Sequence, residues 1–422
     1  MPSPRSLLGP GPRPRPQQTR SITVEQEGPN RPVEGRLIPR PEVPCYPIHS
    51  DLSLITPTPP AGDKRPDVGL LAISRPLFTT AGKTGLAWTF KALGLQPGTQ
   101  VLMPAYHCMA MIEPLEWFGL EPLFYRLNED LSIDYADLES RLDEDCKALV
   151  AVHYFGFPQD GPRLRAFCDD AGLALIEDCC HSFFGSDRGQ ALGSFGDFAV
   201  GSLPKFFPFQ SGGCVVSSRR DLPRESLAPP GSIADMQVLV RELQTAQYYD
   251  RLQNLRALTL GAAALTKALL LLGLGRDLAR LQSSPKSLEF SASRLARNIR
   301  LACDPEDMAS RRRQNYEAIC RSLADLPGVT LLKPQLDAGV VPYMIPLRIP
   351  ALRRLFAEME DRALPMQRFG QFLSPDLDPA LCPVSSDLSH HGLQLPCHQS
   401  LQPEEIHWMV EQLRDICRAA SV

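Results

Sequence analysis

Leu173-Ala-Leu-Ile-Glu-Asp-Cys-Cys-His181, followed by Ser194-Phe-Gly-Asp-Phe-Ala-Val-Gly-Ser-Leu-Pro-Lys205, decides how the chain is read. The first segment is an apolar run of strand length that ends in two carboxylates. Such a run, apolar on both faces, suits a parallel sheet covered on both sides. Ligands on such sheets bind at the carboxyl ends of the strands. Asp178 therefore belongs at a rim, partly desolvated and in need of a cationic partner. His181 shares that rim. In the second segment Lys205 follows Pro204 within an apolar stretch, with Phe206, Phe207 and Phe209 close behind. A desolvated lysine has a lowered pKa and becomes a usable amine nucleophile. Taken alone, Asp178 could be a helix N-cap and Lys205 a snorkelling surface lysine.

Outward from these segments the pattern is βα alternation. Gly82–Leu93 reads as a helix stopped by Gly94, Gln100–Met103 as a strand, Met109–Phe118 as a helix and Glu121–Tyr125 as a strand. Tyr135–Leu142 reads as a helix, Ala148–His153 as an apolar strand and Gly161–Ala171 as a helix. The rim then gathers Tyr106, His107, His153, Asp178 and His181. Thr79-Thr-Ala-Gly-Lys-Thr-Gly-Leu86 puts small residues at a helix start, where free amides and the helix dipole favour an anion. Its spacing is not that of a P-loop. Gly212-Gly213 suits a tight turn leading into a strand. Residues 233–282 read as long helices. Leu258–Leu274 is apolar around Lys267, at the short limit for spanning a bilayer, and reads as a buried or subunit-interface helix, with membrane-surface contact as the alternative. Arg311–Leu323, Val329–Leu332, Met344–Ile349 and Pro403–Ala419 read as helix, strand, strand and closing helix.

Taken together, Ile176-Glu177-Asp178, Gly193-Ser-Phe-Gly-Asp197, Pro204-Lys205 with Gly212-Gly213, Val152-His-Tyr-Phe-Gly-Phe-Pro158 and Leu395-Pro-Cys-His-Gln-Ser-Leu401 resemble the DegT/StrS family of pyridoxal-phosphate sugar aminotransferases. The resemblance implies an α/β fold type I transferase, with a mostly parallel central sheet in a large domain and a smaller C-terminal α/β domain. It implies pyridoxal 5'-phosphate as cofactor, held covalently by Lys205, with Asp178 on the ring nitrogen and His181 near the ring hydroxyl. Gly82, Lys83, Thr84 and Ser202 fall in or near the phosphate-binding positions. Cys108 stands where relatives stack an aromatic ring, with Tyr106 or His107 as its substitute. The catalytic set is thus Lys205, Asp178 and His181, and no metal is expected. The implied reaction moves an amino group from an amino acid, with glutamate the expected donor, to a ketosugar linked to a nucleotide, for polysaccharide or glycoconjugate synthesis. Ala81-Gly82-Lys83 departs from the family's Ser-Gly-Thr, Ser202 lies three rather than five residues before the lysine, and no Gly-Tyr-Asn-Tyr-Arg segment is found. Those departures motivate a second reading, a catalytically silent scaffold or membrane-associated partner in polysaccharide assembly. A dehydratase reading is disfavoured by Lys205, because relatives with that chemistry carry histidine there.

Composition sets the outer bounds. The 422 residues carry 44 Lys+Arg against 48 Asp+Glu, a net charge of −4, so no global positive field holds nucleic acid. Twelve cysteines are scattered without a CxxC pair and read as reduced thiols of a cytoplasmic protein. The N-terminus lacks the apolar core of a secretory signal. Residues 1–66 hold 16 of the 41 prolines and read as a tail and extended arm, with PRPRP a solvated linker. The expected division is 1–66, a large cofactor-binding domain over 67–285 and a small domain over 286–422. A homodimer is expected from the family, whose active sites lie between subunits.

Overall fold

The computed structural model describes residues 69–209, 211–222, 227–249, 251–299 and 303–419. The proline-rich tail and arm therefore lie outside the described residues. In chain order, the first half runs β1 (Leu77–Thr79), α1 (Gly82–Leu93), β2 (Gln100–Pro104), α2 (Met109–Phe118), β3 (Glu121–Tyr125), α3 (Tyr135–Ser140), β4 (Cys146–Val152), α4 (Gly161–Ala171) and β5 (Ala174–Asp178). A two-residue hairpin, β6 (Ser186–Asp187) with β7 (Gln190–Ala191), precedes β8 (Phe198–Ser202) and β9 (Gly213–Val216). Helices α5 (Ser232–Tyr248), α6 (Arg256–Leu271), α7 (Leu278–Gln282), α8 (Arg294–Ile299) and α9 (Pro305–Leu323) follow. The chain closes with β10 (Thr330–Leu331), β11 (Met344–Arg348), α10 (Leu352–Asp361), α11 (Pro383–His391), β12 (Gly392–Pro396) and α12 (Pro403–Ala419).

Seven strands form one sheet in the order β1-β9-β8-β5-β4-β2-β3. Only β9 runs antiparallel to its neighbours, β1 and β8. The sheet is thus mostly parallel, as read from the sequence. Its inner strands are apolar on both faces and fully covered: Leu149, Val150, Leu175 and Ile176 have no exposed surface. Helices α1, α2 and α4 each end on a glycine in the left-handed region, Gly94, Gly119 and Gly172. That conformation costs a side chain strain and costs glycine little, so α2 and α4 stop two residues before their next strands and α1 stops six before β2. Asp134 and Asp160 cap the starts of α3 and α4 through their carboxylates. A smaller antiparallel sheet, β10-β11-β12, is covered by α9 and α12, and its core is continuous with that of the large sheet.

One expectation changes. Residues 233–282 form helices as read, two long and one short, broken near Leu252 and Gly273, both at positive φ. Helix α6 is not buried within this chain. Leu258, Leu260, Leu265, Leu271, Leu272 and Leu274 are exposed, while Thr259 and Thr266 are its buried residues. The reason is local. Thr259 Oγ1 accepts from Gln247 Nε2 of α5 at 2.8 Å, which seats the polar stripe inward and turns the leucines out.

Candidate active site

Strand β5 places its last two side chains on opposite faces, as the period of two demands. Glu177 turns into the fold. Its carboxylate accepts from the amides of Gly193 at 3.0 Å and Gly196 at 2.5 Å, and pairs with His153 Nε2 at 3.0 Å. The other ring nitrogen of His153 accepts from the Gln159 amide at 3.0 Å. Ligand atoms of His153, Glu177 and Cys179 lie close enough together to hold a metal ion, yet the histidine and carboxylate are already committed to these partners. The cluster is a closed structural network that folds the 193–197 loop beneath the sheet.

Asp178 turns the other way, into a cavity of about 260 Å³. Gly82, Lys83, Cys108, Asp178, His181, Ser202 and Lys205 all line it. Seven of the ten site residues named from the sequence are therefore brought together. Asp178 Oδ1 also accepts from the Cys180 amide at 2.9 Å, which fixes the carboxylate at the strand end. Lys205 lies at the end of the turn leaving β8, its ammonium 5.5 Å from the centre of the Tyr343 ring. Its carbonyl accepts from Arg312 at 3.0 Å. Arg312 is fully buried and spends its remaining donors on Gln399 Oε1 and the carbonyls of Pro342 and Tyr343. Burial lowers its pKa to about 10.

Two features at the mouth of α1 suit an anion. No side chain caps the helix at Ala81, so its first amides remain open. A Cβ on Gly82 would lie 3.0 Å from Cys180 Sγ, so the turn packs tightly against this wall and a side chain there would crowd it. Lys83 adds a cation, held at 2.6 Å by Glu113. The arrangement offers an amine, a carboxylate suited to a cationic nitrogen, and an anion-binding helix start, all within one cavity.

His181 is sandwiched between the Phe155 ring at 5.4 Å and the Tyr343 ring at 4.8 Å, with the edge of Phe369 at 5.0 Å. Burial and then the Lys205 charge hold its pKa well below the ordinary value, so the ring is neutral. Burial pushes the Cys108 thiol up, with Lys205 opposing. Burial and then Asp178 push Cys180 up. Both thiols are therefore inert walls.

Three residues named from the sequence do not line the cavity. Thr84 is buried and shares hydrogen bonds with Thr80 at 3.0 Å and Ser287 at 3.2 Å. Tyr106 is buried, with its hydroxyl on the Phe369 carbonyl at 2.8 Å. His107 is buried, Nδ1 on the Pro104 carbonyl at 3.0 Å and Nε2 accepting from the Ser374 amide at 2.9 Å. Both follow β2 at its carboxyl end, but their side chains are drawn back into the core by these bonds. Phe369, Val152 and Met111 line the cavity and were missed. Phe369 belongs to a loop that only the fold brings back to β5, and nothing in its local pattern marks it.

The chain is similar to known proteins in sequence and in fold. Residues 75–225 match the model of the DegT/DnrJ/EryC1/StrS aminotransferase family. The chain is 30% identical over 164 residues to the UDP-N-acetyl-3-dehydro-alpha-D-glucosamine 3-aminotransferase of Acidithiobacillus ferrooxidans, covering 37% of this chain and 44% of that protein. It is 25% identical over 350 residues to the dTDP-4-dehydro-2,3,6-trideoxy-D-glucose 4-aminotransferase of Saccharopolyspora spinosa, covering 80% and 83%. The matched segment thus spans less than half of the first of these relatives. The crystal structure of DesI in the presence of its TDP-sugar product superposes with a TM-score of 0.59 at 20% identity, covering 83% of this chain and 82% of that one. Helicobacter pylori PseC, an aminotransferase of pseudoaminic acid biosynthesis, superposes with a TM-score of 0.57 at 16% identity, covering 83% and 89%. Over residues 75–225 the chain is thus similar to the DegT/DnrJ/EryC1/StrS aminotransferase family, and over four-fifths of its length it shares the fold of the solved aminotransferases above.

Proposed function

We propose that the chain is a pyridoxal 5'-phosphate-dependent aminotransferase that moves an amino group from glutamate to a ketosugar carried on a nucleotide, in the synthesis of a polysaccharide or glycoconjugate. The observation that carries this is Lys205 and Asp178 on the wall of one cavity with the uncapped start of α1. The relatives named above act on UDP- and dTDP-linked sugars, which supports the acceptor class. When bound, the cofactor supplies the electron sink that makes the donor's α-hydrogen acidic. The residues present suit that group. Gly82, Lys83 and Ser202 would hold its phosphate, and Asp178 would keep its ring nitrogen protonated. Lys205 Nζ would be the amine that tethers the cofactor and, once displaced by the donor, the base placed to take up and return a proton within the cavity. Neutral His181, clamped between two rings, would lie near the ring hydroxyl without adding charge. Phe369 and Tyr343 keep water from the amine.

In this reading 67–285 is the large cofactor-binding domain, 286–422 the smaller domain, the assembly is a homodimer and its place is the cytoplasm. A silent scaffold is the second reading, favoured by the Glu113 carboxylate that already occupies Lys83. An absorbance titration with pyridoxal phosphate separates the two. The expected result is a band of lysine-bound cofactor, absent in Lys205→Ala, that converts to the amine form when glutamate is added. Absence of the band at excess cofactor overturns the enzyme reading.

A further inference from the structure

Helix α6 is built inside out for a soluble protein. Its buried residues are Thr259 and Thr266, whereas Leu258 is 67% exposed, Leu271 80%, Leu272 71% and Leu274 64%. Leaving such side chains in water forfeits their burial energy, so a face of this size marks a contact surface. By length and composition Gln253–Leu271 passes for a bilayer span. Its attachments show that it does not cross one. Both ends are tied to α5. Near the start, Gln247 of α5 holds Thr259 at 2.8 Å and Gln253 reaches back to the Gln247 carbonyl at 2.7 Å. Past the end, Gln237 of α5 donates to the Arg276 carbonyl at 2.6 Å and accepts from the Leu278 amide at 3.1 Å. One side of α6 is thus committed to protein along its length, and its 16 residues reach about 24 Å, less than a hydrocarbon core. Such a helix lies on a surface.

Chemistry selects the surface. Between Asp250 and Asp277 the sequence carries four cations and no acidic residue, and although Arg251 is paired with Glu405 at 2.6 Å, Arg256 and Lys267 of α6 are exposed. Arg256 and Lys267 fall together on one flank of the leucine face, at helical spacing, where long side chains reach headgroups while their stems cover apolar surface. A second copy docked on this face about a twofold axis would set these cations against one another. Residues 251–276 also hold no Phe, Trp or Tyr, the side chains that anchor protein interfaces, and are leucine-rich instead. Leu271, Leu272 and Leu274, around Gly273 at positive φ, form the most exposed tip.

We propose that the leucine face of α6 and its 271–274 tip dock the protein on an anionic lipid bilayer, lying in the headgroup layer without spanning it. The test is flotation of the full chain with phosphatidylcholine vesicles, with and without about 30 mol% phosphatidylglycerol. Binding is expected to the anionic vesicles, weakened by salt. The triple variant Leu271→Ser, Leu272→Ser, Leu274→Ser is expected to bind at least about tenfold more weakly. Its unfolding midpoint should hold, because the replaced side chains are exposed. Independently, Ala264→Trp should be quenched by brominated lipid in anionic vesicles. Failure of the parent chain to float with anionic vesicles, or equal binding by the triple variant, overturns the proposal. If the triple variant instead converts an oligomer to a smaller species, the face belongs to a second copy.

Discussion

Single residues of the site were legible in proportion to how local their duties are. Asp178 and Lys205 stand at strand ends, where an apolar run followed by one ionisable group is enough to find them. Tyr106 and His107 share that address but not the destination, because two backbone carbonyls, of Phe369 and Pro104, and the Ser374 amide claim their polar atoms. No periodicity records a bond across more than 250 residues. His107 carries a pH consequence. Burial lowers its pKa from 6.5 to about 4, against weaker backbone bonds that raise it. Between these values the unfolded chain takes up a proton that the folded chain refuses. Its contribution is complete above about pH 6.5 and is lost as pH falls to about 4, up to about 3 kcal/mol. His181 acts in the same direction. Urea midpoints measured from pH 7 to 4 should fall steeply, and His107→Gln should flatten the slope by about one proton. At the anion turn, Lys83→Ala should weaken pyridoxal phosphate binding about tenfold while leaving pyridoxal, which lacks the phosphate, nearly unchanged. Equilibrium titration with the two aldehydes reads this directly.

Elements were legible where caps punctuate them. Helices α1, α2 and α4 have the predicted ends because glycine at the left-handed position and aspartate or an open turn at the start are local signals. Helix α6 was not, because an apolar pattern gives a face without saying which way it points. Only the Thr259 and Gln247 bond decides that. The start of α1 depends on β9 in a similar way. Gly213 pairs with Thr79 and Ser202, and a Cβ there would meet the Ala81 carbonyl carbon and oxygen at 2.5 Å and the Gly82 nitrogen at 2.7 Å. These are backbone atoms and cannot swing aside. Gly213→Ala should therefore cost about 1–3 kcal/mol and push the anion turn away from the cavity. Thermal unfolding should fall by several degrees, and cofactor affinity should fall with it although Lys205 is untouched. Unchanged affinity would mean that β9 does not set the turn.

At the scale of the whole molecule, the smaller sheet is joined to the lysine through Arg312 of α9. This buried guanidinium binds carbonyls of Lys205, Pro342 and Tyr343 together with Gln399. Its fixed fork meets several acceptors at once, which a single ammonium does not. Arg312→Lys should destabilise by about 2–4 kcal/mol, seen as a lower denaturation midpoint, and should loosen Lys205 enough to broaden its cofactor absorbance band. The parallel sheet and its crossovers were readable from alternation alone, whereas this clasp was not, since nothing around 312 in the sequence refers to 205. Strand β5 brings the levels together, with Glu177 bolting a loop to the body and Asp178 facing the cavity. Mutations along it sort by parity. A lineage that lost Asp178 would keep a sound body with a mute site, while one that lost Glu177 would lose the body itself. Under the proposed function, activity could thus be lost in a single step without loss of the shape.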